Sequence, residues 1–137
     1  MIIGTQTILI NKSNKLLIAK RAEIKKLAPG RWNFIGGKVE KTDKDIYEGA
    51  KREIFEEVGI NIDLNDLKLV GKKIVSWENG EPFKCNTFIY YLKETDKVSL
   101  NIEHSEYDFI DLNEFDQYNI VGYSKEEIKR YINGVLS

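Results

Sequence analysis

Apolar positions recur along this chain with two periods, and the switch between them divides it into elements. Residues 3–10, rich in Thr and Ile, and the run LLIA at 16–19 flank the turn-forming NKSN at 11–14, which predicts a two-stranded hairpin. IKKLAPG at 24–30 predicts a loop closed by Pro29-Gly30, and RWNFIGG a short strand that stops at Gly36-Gly37. From Lys44 to Val58 the period becomes helical: Ile46, Ala50, Ile54 and Val58 form one stripe with Tyr47 beside it. Thr42 or Asp43 is expected to cap this helix and Gly59 to end it. Residues 67–77 and 84–92 predict strands joined across Asn79-Gly80, with Pro82 near the turn. Residues 98–102 and 107–112 predict shorter strands flanking EHSE. Ser124 is expected to open a last amphipathic helix, with Ile128, Tyr131 and Ile132 at helical spacing and Ser124 with Glu127 as a capping box. Strands before, between and after two helices predict an α/β domain with mixed strand directions.

The polar side of the first helix carries the chemistry. Gly49, Arg52, Glu53, Glu56 and Glu57 lie opposite the stripe, and the three glutamates share one arc of about 100° at the edge of the buried face. Like charges three and four residues apart cost about 0.2–0.5 kcal/mol per pair, so this concentration of negative charge calls for a positive occupant. Carboxylates close to a Gly-Gly turn suit a hard divalent cation such as Mg²⁺, which takes oxygen ligands and usually keeps waters and substrate phosphate oxygens in its shell. Without His or Cys ligands the pattern argues against zinc. Glycines 36 and 37 leave the backbone open, so a carbonyl completes the shell, and Lys38 directly after them is placed to neutralise a phosphate. The residues read as a site for magnesium-dependent phosphate chemistry.

Composition narrows the setting. A chain of 137 residues has the length of a single domain, expected here over 1–137. Its formal net charge of −1 argues against dedicated nucleic-acid binding. One cysteine, Cys85, allows no intramolecular disulfide and is expected as a half-buried strand residue in a reduced compartment. The N-terminal MIIGTQTILI is too short to span a bilayer and lacks a basic leader region, so no membrane partner and a cytoplasmic location are expected.

GKVEKTD at 37–43, followed by REIFEEVGI at 52–60, resembles the Nudix box: Gly, five residues, Glu, seven residues, then Arg-Glu-apolar-x-Glu-Glu-x-Gly-apolar. The second half matches at every defined position, and GRWNFIGGKVE before it and EHSEYDFIDL after it are also Nudix-like, so the resemblance covers most of the chain. In the first half the glutamate is replaced. Eight residues rather than seven separate Asp43 from Arg52, which leaves Asp43 or Lys44 in that place, and Ile35 stands where proline often precedes Gly-Gly.

The resemblance implies a Nudix-like α/β/α sandwich with a mixed β-sheet and flanking helices. It implies hydrolysis of a nucleoside diphosphate linked to another moiety, with Mg²⁺ (Mn²⁺ as the alternative) held by Glu53, Glu56, Glu57 and the Gly37 carbonyl. Arg52 would orient Glu53 and pair with Asp43. The general base would be a box glutamate or one of the later Glu103 and Glu106, Glu103 lying six residues before Phe109. His104, the only histidine, is expected on a loop surface. Asn33, after Trp32, stands where hydrolases of oxidised purine nucleoside triphosphates read a base; it either reads a purine edge or is satisfied by backbone. QYNIVGYS at 117–124 lacks the paired aspartates such enzymes carry. Arg21, with Lys20, ends the second strand where distal phosphates or solvent would meet it. Trp32 and Trp77 are expected in core packing, and Tyr118 and Tyr123 are candidates for a base pocket.

The expected partner is a small-molecule nucleotide and the expected state a monomer or homodimer. The leading substrate is a (deoxy)nucleoside triphosphate, cleaved to monophosphate and pyrophosphate. ADP-ribose or a nucleotide sugar is the second reading, and a non-catalytic nucleotide-binding module the third.

Overall fold

Ile2–Ile10 forms the strand around which the rest is arranged (β1). The computed structural model describes residues 1–25, 28–77 and 79–136, with the side chains of all but 126–128 and 135–136. Along β1, Leu9 packs with Leu17, Ala19 and Ile35 on one face of the sheet, while Ile8 and Ile10 pack with Leu16, Ile18 and Ile89 on the other. This is the period-2 alternation of a strand covered on both sides.

The expected hairpin forms between β1 and β2 (Leu16–Arg21), which meet at Ile10 and Leu16. Its turn is held by the Asn11 side chain, which accepts from the backbone N–H groups of Ser13 and Lys15 at 3.0 and 2.9 Å. Trp32–Asn33 (β3) pairs with β2, and Ile35–Lys38 (β4) runs antiparallel to β1 with Gly37 opposite Thr5. Lys68–Ser76 (β5) and Pro82–Tyr91 (β6) form the second hairpin, with Gly80 in its turn at φ 85°. β6 lies parallel to β1, so the sheet is mixed, and His104–Ile110 (β7) pairs antiparallel with β2. Among the described residues this makes a seven-stranded sheet.

The helix Ile46–Val58 (α1) covers one face through Ala50, Ile54 and Val58. The helix Gly122–Leu136 (α2) covers the other, where Ile132 is buried beside Phe34 and Phe115. The arrangement is the expected α/β/α sandwich. No described helix is long and apolar enough to cross a membrane.

Four boundary expectations are corrected. The cap of α1 is Asp45, whose side chain accepts from the Glu48 N–H at 2.9 Å, and not Thr42 or Asp43; Asp43 is spent on Arg52. Gly59 does end the helix, at φ 72°. Residues 98–102 form no strand, because their N–H groups cap α1: Ser99 donates to the Val58 carbonyl at 2.8 Å and Asn101 to the Glu57 carbonyl at 3.3 Å. The strand after them starts at His104 rather than Tyr107. Ser124 does not open α2, which starts at Gly122. Ser124 is buried, and its hydroxyl donates to Gln6 Oε1 at 3.0 Å. The Glu127 and Ile128 side chains lie outside the described residues. Cys85 is fully buried in β6 rather than half-buried.

Candidate active site

Gly36 and Gly37 lie in β4 beneath α1, and their lack of side chains lets the helix carboxylates come down onto the strand. A Cβ on Gly37 would stand 2.6 Å from Glu53 Oε1, and one on Gly36 would run into the Thr5 carbonyl oxygen. The two obstacles differ in kind. Gly36→Ala meets backbone and is expected to destabilise the fold by about 3 kcal/mol or more, as overpacking does. Gly37→Ala meets the end of a side chain. It should leave the melting temperature nearly intact while displacing Glu53, cutting kcat by up to about 10²-fold, the cost of misplacing a reacting group by an ångström. Melting curves and turnover of the two variants test this, and equal loss of stability in both would contradict it.

Above the glycines a cavity of about 230 Å³ opens. Glu53, Glu57 and Glu103 line its acidic side, and Arg21, Lys25 and Lys38 its basic side. Trp77 and Tyr123 form an aromatic wall, with Trp77 stacked on Phe83 at 4.1 Å between ring centroids. Larger grooves run beside Met1–Ile3 and beside 111–116, with volumes near 790 and 600 Å³, but neither gathers buried carboxylates.

Arg52 organises the helix side. Its Nε and Nη2 donate to the two oxygens of Asp43 at 3.0 Å each, its Nη1 to Glu53 Oε1 at 3.0 Å and Glu56 Oε2 at 3.1 Å, and Nη2 also to the Lys38 carbonyl at 3.0 Å. Asp43, rather than Lys44, therefore takes the place of the missing first glutamate as partner of the box arginine. The guanidinium bond holds the Asp43 carboxyl below the usual carboxylate range, outweighing burial. The same network turns Glu56 outward. Its side chain is 51% exposed, and it lies outside the cavity.

Glu57 is the deepest carboxylate, 2% exposed. Burial pushes its pKa well above the ordinary value, and the neighbouring Glu53 and then Glu103 add to the rise. Its Oε2 has no hydrogen-bond partner among the described residues. Burial also raises Glu53, though contact with Arg52 pulls in the other direction. At Glu103 burial would raise the carboxyl too, but the Lys25 ammonium, bonded at 3.0 Å, brings the net direction downward.

The orphaned Glu57 oxygen and the paired raised carboxylates fit a hard cation. Among the described residues no three acidic, His or Cys side chains make a closed ligand set. An ion that keeps waters and phosphate oxygens in its shell needs none.

Several sequence expectations change here. His104 is buried rather than on a loop surface, with Nδ1 3.5 Å from Glu57 Oε1 and Nε2 3.1 Å from the Asn33 amide. Burial and then the charge of Arg21 lower its pKa to about 4. A histidine depressed on folding contributes stability that is present above its unfolded value near 6.5 and lost as pH falls through about 4. Its ring should accordingly stay neutral at pH 5.5 in an NMR titration; a midpoint near 6.5 would refute the burial. Asn33, 2% exposed, faces His104 and Ala19 from behind the cavity wall and is not placed to read a base. Trp77 and Tyr123 reach the cavity, whereas Tyr118 packs against Trp32 and bonds Asp108 at 2.6 Å, away from it. Glu106 is exposed on β7, outside the cavity. Lys25 went unremarked in the sequence; the lysine-rich IKKLAPG loop was its only signal.

A family model for the NUDIX domain matches residues 3–131. The chain belongs to the Nudix family. Among curated relatives, the zebrafish (Danio rerio) m7GpppN-mRNA hydrolase NUDT17 is 27% identical over 113 residues, 75% of this chain and 36% of that protein. The nucleoside triphosphatase NudI of Escherichia fergusonii is 31% identical over 86 residues, 63% of this chain and 55% of its own length. This Nudix chain thus matches about half or less of each. In fold it is similar to a MutT protein from Methanosarcina mazei Go1, with a TM-score of 0.83 at 24% identity, covering 99% of this chain and 96% of that one.

Proposed function

We propose that this Nudix chain is a divalent-metal-dependent pyrophosphohydrolase that cleaves a (deoxy)nucleoside triphosphate to the monophosphate and pyrophosphate. The observation that carries the reading is the pair Glu53 and Glu57, buried over Gly36-Gly37 with one Glu57 oxygen unpartnered and basic side chains across the same cavity. Glu53, Glu57 and the Gly37 carbonyl would hold Mg²⁺ or Mn²⁺, with Glu56 at the margin of the site. When bound, the ion would neutralise charge on the pyrophosphate and lower the pKa of the attacking water.

The chain's own groups do the rest. Arg52 fixes Glu53 through a 3.0 Å bond to one of its oxygens. Arg21 and Lys38 face the position of the phosphates, where charge builds on the oxygens in the transition state. The base is a carboxylate. Glu103, which lines the same cavity and is not among the ligands named for the ion, is the carboxylate left to accept the proton of the water, and Lys25 at 3.0 Å keeps it ionised. Trp77 and Tyr123 offer the base a stacking wall.

The triphosphate is preferred because NudI is named a nucleoside triphosphatase and because the cavity is small. The test is a panel of ordinary and oxidised nucleoside triphosphates, ADP-ribose, nucleotide sugars and capped RNA, with millimolar Mg²⁺ and with EDTA, products identified by mass. Monophosphate plus pyrophosphate from a triphosphate, abolished by EDTA, is the expected result. Cleavage of ADP-ribose or capped RNA alone would overturn the substrate, and binding without turnover would overturn the enzyme.

A further inference from the structure

His104 is a buried titratable group lining the candidate site that the proposed chemistry does not use, and hydrogen-bond accounting around it fixes where its proton sits. Asn33 stands between a pure acceptor, the Ala19 carbonyl, and a pure donor, Arg21 Nη1. Its amide satisfies both only with the nitrogen 3.2 Å from Ala19 O and the oxygen 3.3 Å from Arg21 Nη1; the opposite orientation sets donor against donor and acceptor against acceptor. The amide nitrogen then also lies 3.1 Å from His104 Nε2. That ring nitrogen must accept, so the proton of the neutral imidazole is on Nδ1.

Nδ1 points at Glu57. It lies 3.5 Å from Oε1, and the two side chains are 2% and 3% exposed. Among the described residues Nδ1 has no hydrogen-bond partner, and neither has Glu57 Oε2. The contact is about 0.5 Å longer than a formed N–H···O bond, so the donor is aimed at the carboxylate and still available to it. The run Arg21–Asn33–His104–Glu57 ties the irregular end of β2, β3, the first residue of β7 and α1 into one line of donors and acceptors.

We propose that His104 is a positioning residue for Glu57: Asn33 holds its neutral ring in the Nδ1–H tautomer, and this N–H engages Oε1 and so directs Oε2 to the cavity. The proposal rests on the metal-binding reading of Glu57. Asn33 thereby serves the site through the ring, not through a base.

The chain contains a single histidine, so protein labelled with ¹⁵N-histidine shows one imidazole. Two-bond ¹H–¹⁵N correlation spectra at neutral pH are expected to show Nδ1 protonated and Nε2 unprotonated. Asn33→Ala should release the ring into a mixture of tautomers. An Nε2–H ring in the wild-type protein overturns the proposal without recourse to any variant. A second arm measures Mn²⁺ affinity by calorimetry in the absence of substrate. His104→Phe is expected to weaken it about 10–100-fold, as loss of an outer-shell partner does, and His104→Asn, which restores an N–H near the Nδ1 position, to recover most of that loss. Glu57→Gln calibrates the arm. If it weakens Mn²⁺ binding and His104→Phe does not, the positioning role fails while the metal reading stands. If Glu57→Gln changes nothing, the metal reading itself fails.

Discussion

Glu57→Gln is expected to lower kcat by about 10²–10³-fold, the range for deleting one preorganised electrostatic contact to a transition state, while raising rather than lowering stability in EDTA. The two halves have one cause. Without a cation, Glu57 is a buried acid with Glu53 beside it and an oxygen that no described residue satisfies. Burying an uncompensated charge costs several kcal/mol or forces the group to hold its proton. Glutamine keeps the shape, removes the charge and can donate where the carboxylate cannot. The pH dependence has a definite sign. A carboxyl raised on folding contributes stability that is present below its ordinary pKa and lost as pH rises through the raised value. Wild-type protein in EDTA should therefore lose stability as pH climbs from the carboxylate range toward neutrality, and Glu57→Gln should flatten that slope. Adding Mg²⁺ should reverse the ranking, since a ligand that binds only the folded state stabilises it and the variant binds less. Unchanged turnover, or a variant less stable than wild type in EDTA, would remove Glu57 from the site.

What the sequence made legible and what it hid divide along local and long-range physics. α1, its stripe and its Gly59 terminus rest on neighbours three and four residues apart, so the periodicity of 44–58 was enough to place them. The pairing of Arg52 with Asp43 was expected from the resemblance to the Nudix box, and the choice of Asp43 over Lys44 needed the bidentate geometry. The depth of Glu57 was implicit in the same wheel. On sequence it was placed opposite the stripe, but it stands three residues after Ile54 and seven after Ala50, and the structure buries it beside the stripe. His104 was misjudged, and the two readings of Asn33 could not be separated, because the burial of both depends on which strands lie side by side. β7 pairs with β2 so that His104 comes opposite Arg21, and β3 pairs with β2 so that Asn33 comes opposite Ala19. Nothing within ten residues of either position records that juxtaposition. Residues 98–102 looked like a strand, but the N–H groups of Ser99 and Asn101 complete the end of α1, a contact across about forty positions.

The second large effect is expected at Arg52. Arg52→Ala should destabilise the protein by up to about 3 kcal/mol, the lower end of the cost of removing one partner from a buried ion pair, since this pair is partly buried, and should abolish turnover as well. Among the described residues its guanidinium is the only cation bonded to Asp43, and the Asp43 and Glu53 side chains are 6% and 12% exposed. Truncation strands both carboxylates and also frees the Lys38 carbonyl. Arg52→Lys keeps the charge but not the planar fork. It can serve one or two of the five acceptors, so its stability should lie between wild type and Arg52→Ala while its turnover stays near that of Arg52→Ala. The double variant Arg52→Ala with Asp43→Asn separates the contributions. Neutralising Asp43 should restore part of the stability, because the cost lies in the unpaired charge, but none of the activity, because Glu53 still lacks its anchor. Additive losses in the double variant would mean that the two residues act independently, and the bidentate pair would then hold neither the loop nor Glu53 in place.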